Sequence, residues 1–197
     1  MFTGIIEAMG EIVKRTEAGT NLQLEIKSPL SNSLKIDQSV AHNGVCLTVV
    51  ACNEQTHTVT AIKETIDKTT VGNWSVGNKI NLERCMPANG RFDGHIVQGH
   101  VDQTAVCIDK QDEGGSWRFR FEYAASENIT VEKGSICVNG VSLTVVDAAE
   151  NAFSVAIIPY TFEHTQFHRL QPGEQVNLEF DIVGKYMQRL LEKYRHG

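Results

Sequence analysis

An all-β fold of two small antiparallel domains in tandem is what this 197-residue chain predicts, on three observations. The octapeptide Asn43-Gly44-Val45-Cys46-Leu47-Thr48-Val49-Val50 returns as Asn139-Gly140-Val141-Ser142-Leu143-Thr144-Val145-Val146, seven of eight positions matching at a shift of 96. The same shift carries Thr65 to Thr161, Thr69 to Thr165, Gly77 to Gly173 and Asn81-Leu82-Glu83 to Asn177-Leu178-Glu179. Nearer the start a shift of 95 takes Gly4 to Gly99 and Glu7 to Asp102. Finally, the apolar runs in each copy are short, β-branched and bounded by glycine or polar residues, which favours strands over helices. A period this long exceeds any solenoid repeat, so each copy is a domain with its own core.

Taken in order, Val45 to Val50 and Val76 to Leu82 read as strands of the first copy. The stretch Met86 to Gly94 carries Pro87 and the turn pairs Asn89-Gly90 and Asp93-Gly94, and it marks the boundary. In the second copy Val141 to Val146 and Phe153 to Ile158 are strands. Several strands per copy with no long helical period predict a small closed antiparallel barrel or sandwich, twice. One segment differs. From Asp181 on, Val183, Met187, Leu190, Leu191 and Tyr194 recur three or four apart, the spacing of an amphipathic helix with Asp181 as its N-cap. Such a short helix must dock its apolar stripe, on its own barrel or on another subunit. The division predicted is therefore 1–95, 96–183 and a helix over 184–197.

Composition excludes several classes. A net charge of -6 argues against binding nucleic acid through its phosphates. No apolar run is long enough to span a membrane, and the start Met1-Phe2-Thr3-Gly4-Ile5-Ile6-Glu7 has neither the basic nor the apolar region of a signal peptide. Five cysteines without a C-x-x-C pair fit a reducing cytoplasm better than a disulfide framework or a structural zinc site. There is no G-x-G-x-x-G, Walker loop or G-x-S-x-G, so chemistry that needs no bound cofactor is expected.

Duplication supplies two similar pockets, which suits a reaction between two copies of one small molecule held face to face. Matched positions share work: Thr48 and Thr144, and Thr65 and Thr161, offer hydroxyls to a polar ring edge, although threonine also suits strands for packing alone. Unmatched positions allow unequal roles: Cys46 against Ser142, Ile5 against His100, Glu64 against Tyr160 and Asp37 against Lys133. His95 and His100 should lie on opposite faces of one strand. His164 and His168 have the spacing of a helical metal pair but lack a third ligand, so solvated or capping roles are expected. Cys46 with His100 has the composition of a nucleophile and base, against the plainer reading of a buried, inert thiol.

The opening seven residues, the paired N-G-V-[CS]-L-T-V-V motifs, Gly94-His95-Ile96-Val97-Gln98-Gly99-His100-Val101-Asp102, Ile158-Pro159-Tyr160-Thr161-Phe162-Glu163-His164-Thr165 and Asp181-Ile182-Val183-Gly184-Lys185-Tyr186 together resemble the riboflavin synthase family. The resemblance spans essentially the whole chain. It implies two six-stranded Greek-key barrels and a C-terminal helix that builds a homotrimer. It implies a transferase, the last step of riboflavin biosynthesis: two molecules of 6,7-dimethyl-8-ribityllumazine dismutate by four-carbon transfer. The products are riboflavin and 5-amino-6-(D-ribitylamino)uracil. Each barrel would bind one lumazine, the site forming between the N-terminal barrel of one subunit and the C-terminal barrel of its neighbour. No cofactor or metal is implied, and lumazine synthase is the implied protein partner.

The resemblance also carries residues. His100, Ser142, Thr144 and Asp181 match the catalytic region, with Cys46 from the other barrel. Around them Phe2, Thr3, Gly4, Ile5 and Ile6 match a segment lining the site. Ser39, Leu47, Thr48, Ala61, Ile62, Lys63, Glu64, Thr65 and Ile66 match the first pocket. Gly99, Val101, Lys133, Leu143, Ile157, Ile158, Pro159, Tyr160, Thr161 and Phe162 complete the substrate contacts. A base must remove a proton from the acidic 7-methyl group of one lumazine and a nucleophile must add to C7 of the other, and neither is assigned among these residues. Many family members carry an acid where this chain has Asn139, which can orient a group but cannot be a carboxylate base. A non-catalytic antenna protein of the same superfamily is the rival reading; such relatives often lose the histidine of the second copy, whereas Gly99-His100 and both L-T-V-V motifs stand here.

Overall fold

Alternation of apolar residues along the short runs gives twelve strands that close into two barrels in the computed structural model, which describes residues 1–195. The last two positions of the predicted 184–197 helix lie outside the described residues. The first barrel comprises β1 (Ala8–Ala18), β2 (Asn21–Lys27), β3 (Ser39–His42), β4 (Val45–Cys52), β5 (Thr56–Ala61) and β6 (Lys79–Arg84), with helix α1 (Lys63–Lys68) between the last two. The second comprises β7 (Gln103–Asp112), β8 (Trp117–Tyr123), β9 (Ser135–Val138), β10 (Val141–Ala148), β11 (Ala152–Ile157) and β12 (Gln175–Phe180), with α2 (Pro159–His164) in the same place. Around the first barrel the order is β1-β2-β5-β4-β3-β6, and the second repeats it six strands later, so both are Greek keys. Even the irregularities repeat: the register slips in β4 between Val49 and Ala51 and in β10 between Val145 and Asp147.

The cores follow from the alternation. In β2, Leu22, Leu24 and Ile26 point inward, and in β5, His57, Val59 and Ala61 do. By contrast, β6 and β12 are buried on both faces, because one face lines a barrel and the other meets the opposite barrel. There the matched asparagines act: Asn81 Nδ2 donates to the Asn139 carbonyl at 2.8 Å, and Asn177 Nδ2 donates to the Asn43 carbonyl at 2.9 Å. The Asn-Gly pairs turn β3 into β4 and β9 into β10 with positive φ at both residues, as a two-residue hairpin needs. The two turns touch: a Cβ on Gly44 would stand 2.7 Å from the Gly140 nitrogen, and one on Gly140 would stand 2.8 Å from the Gly44 nitrogen. Glycine is thus required twice over, for the turn and for the contact across the pseudo-twofold axis.

The barrel interiors are not identical. In the first, Ser31, His57 and His42 form a buried chain: Ser31 Oγ lies 2.9 Å from His57 Nδ1, and the two Nε2 atoms are 2.9 Å apart. His42 Nδ1 donates to the Val40 carbonyl at 3.0 Å, and because a carbonyl only accepts, this sets every proton in the chain. His57 Nε2–H donates to His42, and the Ser31 hydroxyl donates to His57. At the corresponding places the second barrel has Val138 and Phe153, both fully buried.

Three local features differ from the periodicity reading. The strand expected over Val76 to Leu82 runs Lys79–Arg84, since Gly77 at φ 92 and the Ser75–Asn78 turn occupy the first positions. Helices α1 and α2 were not foreseen, because six residues are too few to show a helical period. The C-terminal helix α3 (Ile182–Arg195) begins two residues ahead of the division drawn at 184, directly after Asp181, whose Oδ1 accepts from Val183 N at 2.9 Å as the expected cap.

Candidate functional site

The segments before each barrel decide the site. Phe2 and Val97 pair antiparallel, Phe2 N donating to the Val97 carbonyl at 2.8 Å and Val97 N to the Phe2 carbonyl at 3.1 Å. Each segment then crosses to the other copy's barrel. Ser142 N donates to the Gly4 carbonyl at 2.8 Å, and Cys46 N donates to the Gly99 carbonyl at 2.9 Å. Ile6, of the first copy, packs against the second barrel's core, and Val101, of the second copy, against the first's. Close approach demands glycine: at φ 77 and 78, a Cβ on Gly4 or Gly99 would stand 2.6 Å from that of Ser142 or Cys46.

Each crossing segment is held by a buried carboxylate of its own copy. Glu83 accepts from Thr3 N at 2.7 Å, Gly4 N at 3.0 Å and Thr3 Oγ1 at 3.0 Å. Glu179 accepts from Gln98 N at 2.7 Å and from Gly99 N and His100 N at 2.9 Å. Burial pushes both carboxyls up, Glu179 to about 7, against the pull of these N–H donors and, for Glu179, of Lys185. Sequence reasoning matched the two N-L-E triplets yet gave these acids no role; their signal was the register itself.

Two equivalent rims result. At the first barrel stand Ser39, Cys46 and Thr48 with the Ile62–Ile66 stretch that starts α1, joined by Gly99, His100 and Val101 from the second copy. At the second barrel stand Ser142 and Thr144 with Ile158 to Phe162, joined by Thr3 to Ile6 from the first copy. Within one chain, then, His100 lies with Cys46 and not with Ser142. Cys46 and Thr48 are less buried than their neighbours and turn outward from their barrel, and Ser142 and Thr144 hold the same strand positions in the second, beside a half-buried Leu143. Leu47, Ala61, Ile157 and Phe2 turn their side chains into cores, away from the rims. Lys133, at φ 64, donates its N–H to the Val145 carbonyl beside the second rim, where the first has Asp37, at φ 72, on Val49. One rim thus carries a base and its twin an acid.

Two clefts adjoin the rims. One, of about 660 Å³, runs between Thr3, Ile5, Ser39 and Glu83 and the connecting loop. The other, of about 690 Å³, lies between Ser135, Asp181 and the α3 side chains Val183, Met187 and Leu191. Burial raises the Cys46 thiol above its ordinary value, with the Ser39 hydroxyl pulling the other way, so the thiol form prevails.

His95 and His100 do not share a strand, because the positive φ of Gly99 breaks the extended run between them. His95, which the sequence placed opposite His100 without a site role, has Nδ1 2.6 Å from Ser142 Oγ. Asn139 turns away from the rims: its Oδ1 accepts from Asn177 N at 2.7 Å and its Nδ2 donates to Gln166 Oε1 at 2.9 Å, both within the second copy. His164 and His168 donate to the Tyr160 and Thr165 carbonyls at 2.8 and 2.6 Å, the capping role expected. Among the described residues no cluster of three or more His, Cys, Asp or Glu side chains could hold a metal ion.

Comparison with known proteins agrees with this architecture. The lumazine binding domain family matches twice, at residues 3–85 and 98–181. The chain is 41% identical to riboflavin synthase of Bacillus subtilis strain 168 over 98% of its own length and 91% of the relative's. It is 40% identical to riboflavin synthase of Mycobacterium bovis, over 97% of this chain and 98% of that one. A crystal structure of LumP complexed with riboflavin superimposes with a TM-score of 0.83 at 26% identity, covering 91% of this chain and 99% of that one.

Proposed function

This chain belongs to the riboflavin synthase family of paired lumazine-binding domains, and from that premise we propose that it converts two molecules of 6,7-dimethyl-8-ribityllumazine into riboflavin and 5-amino-6-(D-ribitylamino)uracil. The observation that carries the reading is the reciprocal crossing: two equivalent rims, each finished by the other copy's segment, suit two copies of one substrate. Rims alike in shape but unlike at Cys46 and Ser142, and at Asp37 and Lys133, suit one molecule that gives four carbons and one that takes them. Holding them face to face supplies up to about 7–11 kcal/mol of the barrier as orientation and entropy. In this reading His100, Cys46, Ser142, Thr144 and Asp181 serve the chemistry, and the remaining rim residues hold the ring and the ribityl chain. Residues 1–95 and 96–183 are the two binding units.

Purified protein given the lumazine, with no cofactor or metal added, should develop riboflavin absorbance, and EDTA should leave the rate unchanged. A yellow protein that holds one lumazine per chain without turning it over would establish the antenna reading instead.

The assembly is a cytoplasmic homotrimer in this reading. Val183, Met187, Leu190, Leu191 and Tyr194 form an exposed apolar stripe on α3, of the kind a subunit contact covers. Lys185 donates to both Asp102 carboxylate oxygens at 2.7 Å and so sets the direction in which the helix leaves the barrel. No helix among the described residues is long and apolar enough to cross a membrane. Sedimentation should give three chain masses; a single chain at full activity would refute the assembly. Lumazine synthase as a partner rests on the family resemblance, and co-sedimentation with that enzyme tests it.

A further inference from the structure

We propose that His95 is the positioning residue of Ser142, orienting its hydroxyl for the bound lumazine at the second rim; the proposal rests on the riboflavin synthase reading. His95 Nδ1 and Ser142 Oγ are 2.6 Å apart, a short contact between a half-buried ring and a half-buried hydroxyl. The backbone is built to press them together. His95 N donates to the Thr3 carbonyl at 3.1 Å, Ser142 N donates to the Gly4 carbonyl at 2.8 Å, and Gly94 lies so close that an added Cβ would fall 2.9 Å from Ser142 Oγ. Imidazole and hydroxyl are therefore placed by three adjacent backbone contacts rather than by a free rotamer.

The first rim has no such arrangement at the matching place: Cys46 replaces Ser142, and it is the Ser39 hydroxyl that acts on its thiol. The histidine contact thus marks where the duplicated sites part company. Burial lowers the His95 pKa, while Asp181, facing it from the junction of β12 and α3, pulls the other way. From β10 the ring meets the Ser142 hydroxyl, and the residue's backbone N–H donates to the Thr3 carbonyl of the N-terminal segment.

A neutral His95 with its proton on Nε2 accepts the Ser142 O–H at Nδ1 and leaves the serine lone pairs toward the ligand. No proton leaves Ser142 in this arrangement. A protonated His95 donates instead, which reverses the hydroxyl and spends a lone pair. Turnover must then fall on acidification, with a midpoint that belongs to His95.

The test compares kcat and KM for the lumazine across pH in the unchanged protein and in His95→Ala, His95→Asn, Ser142→Ala and the His95→Ala/Ser142→Ala pair. Circular dichroism and lumazine binding report whether each variant keeps its fold. His95→Ala should lower kcat at least about tenfold with KM changed by less than about threefold, as loss of an interaction made in the transition state does. His95→Asn places an amide where Nδ1 sits and does not titrate, so it should recover part of kcat while losing the acid limb. The double variant should be no worse than Ser142→Ala alone, because one residue acts through the other. An unchanged acid limb in His95→Asn, or losses that add in the double variant, would overturn the proposal while leaving the riboflavin synthase reading intact. No riboflavin from the unchanged protein would overturn both.

Discussion

Acidification from about pH 7 to about pH 4 will open the first barrel while the second still stands. The cause is the buried Ser31–His57–His42 chain. Burial, and for His42 its neighbour His57, push the two imidazoles below the ordinary 6.5, to about 3 for His42 and about 4 for His57. Above pH 6.5 both the folded and the unfolded chain leave these rings neutral, so stability does not depend on them. Below it the unfolded chain binds two protons that the folded barrel refuses. Stability therefore falls as the pH drops, by about 1.4 kcal/mol per pH unit per ring, until the folded rings themselves take protons. Between the ordinary value and pH 4 the loss is on the order of 5 kcal/mol, a large part of what holds an ordinary domain together.

The second barrel has Val138 and Phe153 in those places and pays no such penalty. Amide exchange followed by mass spectrometry reads both barrels in one sample: peptides from β3 to β5 should exchange before those from β9 to β11. Replacing the pair by its counterparts, His42→Val with His57→Phe, should lower the acid midpoint of the first barrel by about one pH unit. If the two barrels open together, at a pH the double substitution does not move, the buried pair is not the cause.

Glu179→Ala should reduce turnover by about 100-fold, the scale on which a displacement of about an ångström in a reacting geometry is felt. Three backbone N–H groups, of Gln98, Gly99 and His100, would lose their acceptor within a buried contact. Each orphaned donor costs about 1–3 kcal/mol, offset by release of the carboxylate's own burial, so a net loss near 3 kcal/mol is expected. The consequence for activity is geometric. Gly99 bonds Cys46 N and carries His100 to the first rim, so slackening residues 98 to 100 displaces a candidate catalytic side chain that Glu179 does not itself touch. Glu179→Gln keeps one oxygen acceptor and should fall between the two. Thermal unfolding and kcat, measured on the same preparations, check both halves. An alanine variant with undiminished kcat would show that the segment needs no clamp.

Much of this molecule can be read along the chain. Duplication, short alternating strands and the capped C-terminal helix rest on contacts within a few residues, or on a repeat that register alone exposes. Hence the paired barrels and the helix that follows Asp181 were legible. The family resemblance added the substrate and nominated His100, Ser142 and Cys46. Which copy finishes which rim was not legible, because nothing local says that Gly4 lies on Ser142 or that Gly99 lies on Cys46. Those partners are more than fifty residues apart, and their pairing depends on two barrels meeting across an asparagine contact. The roles of Glu83, Glu179 and His95 were equally hidden, since each acts on a backbone or hydroxyl 47 to 81 residues away that only the folded chain brings within reach.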